Sequence, residues 1–269
     1  MLIKPHTLDH WINHFYGYGS WKAQLWFVAH EEGGGDLPEE VAEKLDFFYD
    51  THRAATTATL CDIRAVYRQV GIRWEGPKAN VFSNRYEYRF GDRAVRNKVW
   101  ENLIGFTCGY SDRHLPDMLE YQRHTFATPS SNEALIKLYP LPGANHHGWN
   151  YNWLDLPEEF NFLKSRTLYQ DHVYQQRIQN LLNAVQAYKP KVVLMYGMST
   201  INVLKQSVCE FFPDVKFTLV KAIKQKIPQH HRVDLEYTKL LITTQIPALR
   251  HNRIETGFDW HAFGKAVGL

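Results

Sequence analysis

The chain has 269 residues, 31 Lys and Arg against 28 Asp and Glu for a net charge of +3, and 44% hydrophobic residues, the balance of an ordinary globular protein. Its three cysteines, Cys61, Cys108 and Cys209, are too few for a four-thiolate iron–sulfur cluster and show neither metal-binding nor disulfide spacing, which fits a reducing cytoplasm. No apolar run approaches the roughly 20 residues that span a bilayer, and the opening MLIKPHTLDHWINHF carries no secretory signature, so a cytoplasmic protein without a membrane partner is expected.

Four short apolar runs punctuate the chain. The first is LWFVA (25–29), followed by PEEVAEKLDFFYD (38–50), which opens with proline and two acids as a helix should. Val95, Val99, Leu103 and Phe106 then recur near helical spacing over 92–106. The second run is ALIKLYPL (134–141), and a helix is expected over 167–188 from Val173, Ile178, Leu181, Leu182 and Val185. The third run, KVVLMYG (191–197), leads into a helix over 199–211 with Ser199 as its N-cap. FTLV (217–220) reads as a further short strand, LLITT (240–244) as the fourth run and FDWHAFGKAV as a closing helix. Continuous apolar runs suit strands covered on both faces, and their alternation with helices predicts a three-layer α/β/α sandwich around a four-stranded parallel sheet. One domain over 1–269 is expected, with a large insertion at about 36–130.

In such sheets ligands bind beyond the carboxyl ends of the strands, which singles out the polar residues there. After the first run comes AHEEGGGD, with His30, Glu31 and Glu32 before Gly33, Gly34 and Gly35. These glycines would let the backbone turn tightly over a ligand, or form a solvated surface loop. The second run ends at Tyr139 and continues as PLPGANHHGWNYNW, rich in groups that hydrogen-bond or stack; His146 and His147 are adjacent and lack the spacing that would put both on one metal. After the fourth run, TTQIPALRHNR places Gln245, Arg250, His251, Asn252 and Arg253 where they would touch phosphates, unless this is a plain basic surface loop. NVFSNRYEYRF (80–90) mixes rings with arginine, Phe82 and Arg85 among them. Aromatic residues make up 14% of the chain, enough to supply either a ring-rich core or platforms for flat ligands.

Taken together, VAHEEGGG, VFSN, IKLYPLPG, KPKVVLMYG and QIPALRHNR resemble, in order, the motifs of the uracil-DNA glycosylase superfamily. The third-strand run is the nearest match. Glu31 and Glu32 stand where the family has an acid or amide and a proline, and Gln245 stands near the usual histidine. The resemblance implies a monofunctional DNA N-glycosylase that needs neither metal nor organic cofactor, acts as a monomer and flips a base from DNA. It makes Glu31 the first choice, and Glu32 the second, for a carboxylate that stabilises an oxocarbenium-like sugar. It makes Phe82 the stacking ring, Gln245 and His251 the contacts to the leaving group or a phosphate, and His30, Tyr139, Asn145, His146 and His147 the base-binding residues. Arg85, Arg250, Asn252 and Arg253 would bind the DNA. The altered motifs, and rings and arginines in the insertion (Trp74, Phe82, Arg85, Tyr86, Tyr88, Arg89), point to a bulky modified base, such as a glucosylated hydroxymethylcytosine of bacteriophage DNA, and so to antiviral defence. The alternatives are repair of uracil or another deaminated base, another nucleoside-type hydrolase, and a DNA-binding protein without chemistry.

Overall fold

The four apolar runs lie side by side as parallel strands. A computed structural model describes residues 2–34, 37–70, 85–143, 148–223, 226–248 and 257–269. In it the runs form β2 (Leu25–Gly33), β4 (Glu133–Gly143), β5 (Val192–Tyr196) and β8 (Lys239–Ile242), in the spatial order β4-β2-β5-β8, every neighbouring pair parallel. Glu31 pairs with Tyr139, and the Gly197 N–H donates to the Gln245 carbonyl at 3.0 Å, so all four runs end at one edge.

The sheet is wider than the four strands expected. Among the described residues it has eight, adding β1 (Phe15–Tyr18) and β3 (Thr59–Cys61) beyond β4, and β7 (His230–Asp234) and β6 (Thr218–Val220) beyond β8. β1 runs antiparallel to β4, and β7 antiparallel to β8. These flanking strands span three to five residues, and β7 reads HHRVD. Strands this short, partly exposed in β6 and β7, carry no long apolar run, so none but FTLV announces itself.

The described helices are α1 (Pro5–His14), α2 (Pro38–His52), α3 (Ile63–Gln69), α4 (Arg85–Phe90), α5 (Lys98–Tyr110), α6 (Met118–His124), α7 (Arg166–Tyr188), α8 (Ile201–Phe211) and α9 (Trp260–Gly268). Two boundaries depart from expectation. Helix α5 starts at Lys98 because the Asn97 side chain accepts from the N–H groups of Val99 and Trp100, which leaves Val95 exposed in the preceding loop. Helix α8 starts after Thr200, so Ser199 is not its cap. Successive strand residues point to opposite faces, and β2 shows where each layer lies. Phe27 meets Phe106 of α5, whereas Trp26 meets Tyr188 of α7. Helix α9 packs on α5 at backbone contact distance: a Cβ on Gly264 would come within 2.0 Å of the Phe106 carbonyl oxygen.

Where β1 ends its pairing with β4, a buried arginine takes over. Arg177 of α7 donates to the carbonyls of Lys137 (2.7 Å), Leu138 (3.0 Å), Phe15 (2.8 Å) and Ile12 (3.3 Å), with its guanidinium carbon 3.4 Å from the Tyr16 ring centroid. Arg64 of α3 does the same for the carbonyls of Gln122, Arg123 and Phe126 around the end of α6. Each unsatisfied buried polar group costs about 1–3 kcal/mol, so Arg177→Met, which keeps the apolar stem and orphans four carbonyls, should lower the unfolding free energy by at least about 3 kcal/mol in urea titration. A loss under about 1 kcal/mol would mean that water replaces the guanidinium at no cost.

Candidate active site

The carboxyl edge of the sheet separates the two adjacent glutamates. Alternation along β2 would send Glu32 to the α7 face with Trp26. The register between β2 and β4 shifts at Glu31/Glu32, and this irregularity re-aims both side chains. Glu32 turns to the α5 side and is buried at 3% exposure; Glu31 turns to α7.

Around Glu32 the chain assembles a set of buried charges. The Tyr18 hydroxyl of β1 donates to Glu32 Oε1 at 2.8 Å. Lys137, in the middle of β4, places Nζ 3.1 Å from Glu32 Oε2, an ion pair lying off the hydrogen-bonding direction of that oxygen. Helix α2 adds Glu40 and Lys44, four residues apart and therefore on one face, each 1% exposed and paired at 2.9 Å. Arg85 of α4 donates to the other Glu40 oxygen at 2.7 Å. The turn that brings α2 here needs a glycine: Gly34 has φ +93°, and a Cβ on it would come within 3.1 Å of Glu40 Oε1 and 3.3 Å of Lys44 Nζ.

The electrostatics follow from desolvation opposed by pairing. Burial pushes the Glu40 carboxyl up, but Lys44 and Arg85 outweigh it and hold it below its ordinary 4.5. Burial pushes Lys44 and Lys137 down, yet Glu40 in the first case and Glu32 in the second raise both above 10.5, so both stay charged. Burial and then the Glu32 charge drive the Tyr18 phenol well above 10, keeping it a proton donor to the carboxylate.

Of these groups, Tyr18, Glu32, Glu40, Arg85 and Lys137 wall a cavity of about 220 Å³ together with Gly33, Gly34, Ile63, Tyr67, Arg89, Asn97, Trp100 and Leu135. Tyr67 and Trp100 supply ring surface. Arg85, Arg89, Lys137 and the adjoining Lys44 outnumber Glu32 and Glu40 four to two among the described residues. A desolvated excess of positive charge favours an anion, or a group on which negative charge develops.

On the other side, Glu31 Oε1 accepts from Gln170 Nε2 of α7 at 2.7 Å and lies 3.6 Å from Arg166 Nε. Arg166 also donates to the Gly148 carbonyl at 2.7 Å and covers the Trp149 ring. His30 meets the Tyr139 ring edge-on at 4.9 Å, and Tyr139 is buried against Tyr169, its phenol pushed up by burial. Glu31 is thus tied to α7 and, with His30 and Tyr139, does not line the cavity. Gln245 sits at the same sheet edge, its N–H donating to Thr243 Oγ1, outside the cavity lining. Arg85, expected on a DNA-binding surface, is turned inward because buried Glu40 needs a second counter-charge. Of the insertion residues expected to wall a pocket, Arg85 and Arg89 do so, while Tyr86 accepts a hydrogen bond from Arg68 and Tyr88 lies under Arg89. Trp74, Phe82, Asn145, His146, His147, Arg250, His251, Asn252 and Arg253 lie outside the described residues.

Sequence reasoning missed Tyr18, Glu40, Lys44 and Lys137. One signal was available: a lysine inside ALIKLYPL, a run read as covered on both faces, demands a buried partner. The Glu40–Lys44 pair offers a check. Glu40→Gln leaves two cations without their carboxylate, and breaking a buried pair costs about 3–5 kcal/mol, so a loss of that size is expected in urea unfolding at neutral pH. Because the Glu40 pKa is depressed on folding, its contribution is complete above 4.5 and fades as pH falls through the depressed value. The gap between the wild type and Glu40→Gln should therefore narrow in acid, and a gap independent of pH would contradict the ion-pair account. Comparisons of the chain with models of known protein families, with curated proteins and with solved structures find no match.

Proposed function

We propose that the protein is a DNA glycosylase of the uracil-DNA glycosylase-like kind, which hydrolyses the N-glycosidic bond of a flipped-out modified base and leaves an abasic site. The observation that carries this reading is the cavity at the carboxyl edge of the parallel strands, where four cations surround two buried carboxylates. Glycosidic cleavage creates positive charge on the sugar and negative charge on the departing base, and a site holding both signs answers both. Glu32, oriented by Tyr18 and Lys137, is our choice for the carboxylate, ahead of Glu31, because it faces the cavity. Lys137 and Arg85 are the donors for the leaving base, and Tyr67 and Trp100 the ring surfaces against its plane.

The same lining bears on which base enters. A carboxylate has about four lone-pair sites, so Glu40, which also lines the cavity, retains capacity beyond Lys44 and Arg85 to accept from an exocyclic amine while Glu32 serves the sugar. Carboxylates accept from the cytosine amino group, while uracil offers none, and cations serve the acceptor atoms of either base. This supports a cytosine-derived substrate, with hypermodified bacteriophage DNA and a defence role as the extension. A second reading has its own support. The cavity, at about 220 Å³, is smaller than the roughly 300–1,000 Å³ of pockets for drug-sized ligands, and this size favours a small deaminated base.

Three duplexes decide between them: one with glucosylated hydroxymethylcytosine, one with uracil and one unmodified, each assayed for alkali-labile abasic sites. We expect sites in the first alone. Release from the uracil duplex alone selects repair, and release from none, with free nucleosides cleaved instead, selects a nucleoside hydrolase. On the accepted substrate, Glu32→Gln should slow release at least about tenfold, or about 1.4 kcal/mol of barrier, while Glu31→Gln should retain most of it. Reversal of that order would move the chemistry to the α7 side of the sheet.

A further inference from the structure

The loop from Gly91 to Asn97 joins α4 to α5, and a single buried amide holds it from inside. Gln122 of α6, 1% exposed, donates Nε2 to the carbonyls of Arg89 (2.8 Å) and Val95 (3.2 Å) and accepts at Oε1 from the Asn97 N–H (2.8 Å). The N–H groups of Gly91 and Val95 return to the carbonyls of Tyr86 and Tyr88, and Asn97 then caps α5. These bonds hold the loop to α4 at its start and to α6 near its end.

What it displays outward is charge. Arg93, Arg96 and Lys98 are all exposed, the last two with about half of each side chain in water. Arg96 and Lys98 share Glu101, at 3.4 and 3.0 Å, and surface pairs of this kind are worth about 0–1 kcal/mol, so both cations can transfer to a phosphate at little cost. The acid on the loop, Asp92, is held by Arg123 at 2.9 Å. The inward side chains of the same stretch, Arg89, Asn97 and Trp100, line the cavity. One segment therefore presents cations to solvent and walls to the cavity.

We propose that Arg93, Arg96 and Lys98 form a phosphate-binding strip that docks a nucleic-acid backbone beside the cavity. The strip gives register without reading sequence, as contacts to phosphate do. The proposal rests on the nucleic-acid reading of the cavity for its purpose, but its test uses DNA that offers no base to remove. Binding of a short unmodified duplex is measured across a range of salt concentrations for the wild type, for the triple variant Arg93→Ala, Arg96→Ala, Lys98→Ala, and for the charge-keeping triple Arg93→Lys, Arg96→Lys, Lys98→Arg. Each phosphate contact contributes about 0.9 to the slope of log affinity against log salt. The alanine triple should bind more weakly with a slope reduced by about 2.7, and the charge-keeping triple should retain the wild-type slope. Circular dichroism at wild-type amplitude shows that the variants are folded. An unchanged slope in the alanine triple, no binding of the duplex by the wild type, or binding of phosphatidylserine vesicles in place of the duplex would overturn the proposal. A reduced slope with no base released from any duplex would leave the strip standing and remove the glycosylase reading; base release with an unchanged slope would do the reverse.

Discussion

Two carboxylates held out of water set the terms for the carboxyl edge. Moving an ion from water to a protein interior costs several kcal/mol after relaxation, and Glu32 and Glu40 recover that cost only when their partners are in place. The partners come from different parts of the chain: Tyr18 from β1, Lys137 from β4, Lys44 from α2 and Arg85 from α4. The flanking strand β1 and the segment between β2 and β4 are thereby fixed to the central strands by charge as well as by packing. Apolar side chains of the same volume would often serve stability as well or better. The arrangement makes sense as a preorganised polar cavity, in which dipoles and charges need little reorganisation when a ligand arrives.

A local irregularity decides which glutamate belongs to that cavity. In an uninterrupted strand Glu32 would share a face with Trp26 and lie against α7. The register shift beside Pro140 and Pro142 exchanges the two carboxylates between the layers, giving Glu32 to the cavity and Glu31 to Gln170 and Arg166. Proline lacks the N–H that a regular ladder uses, so a strand ending LYPLPG is one that departs from regular pairing at this point. Glu31 then has a part of its own. Through Arg166 it is linked to Gly148 and Trp149, close to the end of β4 at Gly143.

The parts of the fold that were legible in the sequence are those where one physical signal dominates. LWFVA, ALIKLYPL, KVVLMYG and LLITT could hide so many apolar side chains only between two helical layers, and they form the central parallel strands. The flanking strands were hidden because their stability comes from neighbours rather than from their own composition; FYGY and HHRVD become strands by pairing with β4 and β8. The apolar runs also placed Glu31, Glu32 and the glycine turn at the carboxyl edge of the strands, where the structure has them. The charged lining of that edge was not legible, because Tyr18, Glu40, Lys44 and Lys137 meet through tertiary contacts among separate segments. Arg85 shows the limit of reading charge type alone: an arginine in a polar stretch looks like a surface group until the buried acid it neutralises is known.

The Arg177 side chain has a further consequence for how copies of this protein behave toward one another. Where β1 and β4 part, the Lys137 and Leu138 carbonyls would otherwise be unpaired acceptors, the kind of group on which an extended segment adds itself. A guanidinium offers five donors in a fixed fork and no acceptor, so it occupies those carbonyls without itself becoming a place where a strand can extend. Held beneath α7 and against the Tyr16 ring, it cannot readily swing away. The gap where β1 and β4 separate is thus closed to an added strand by a side chain that cannot itself extend the ladder.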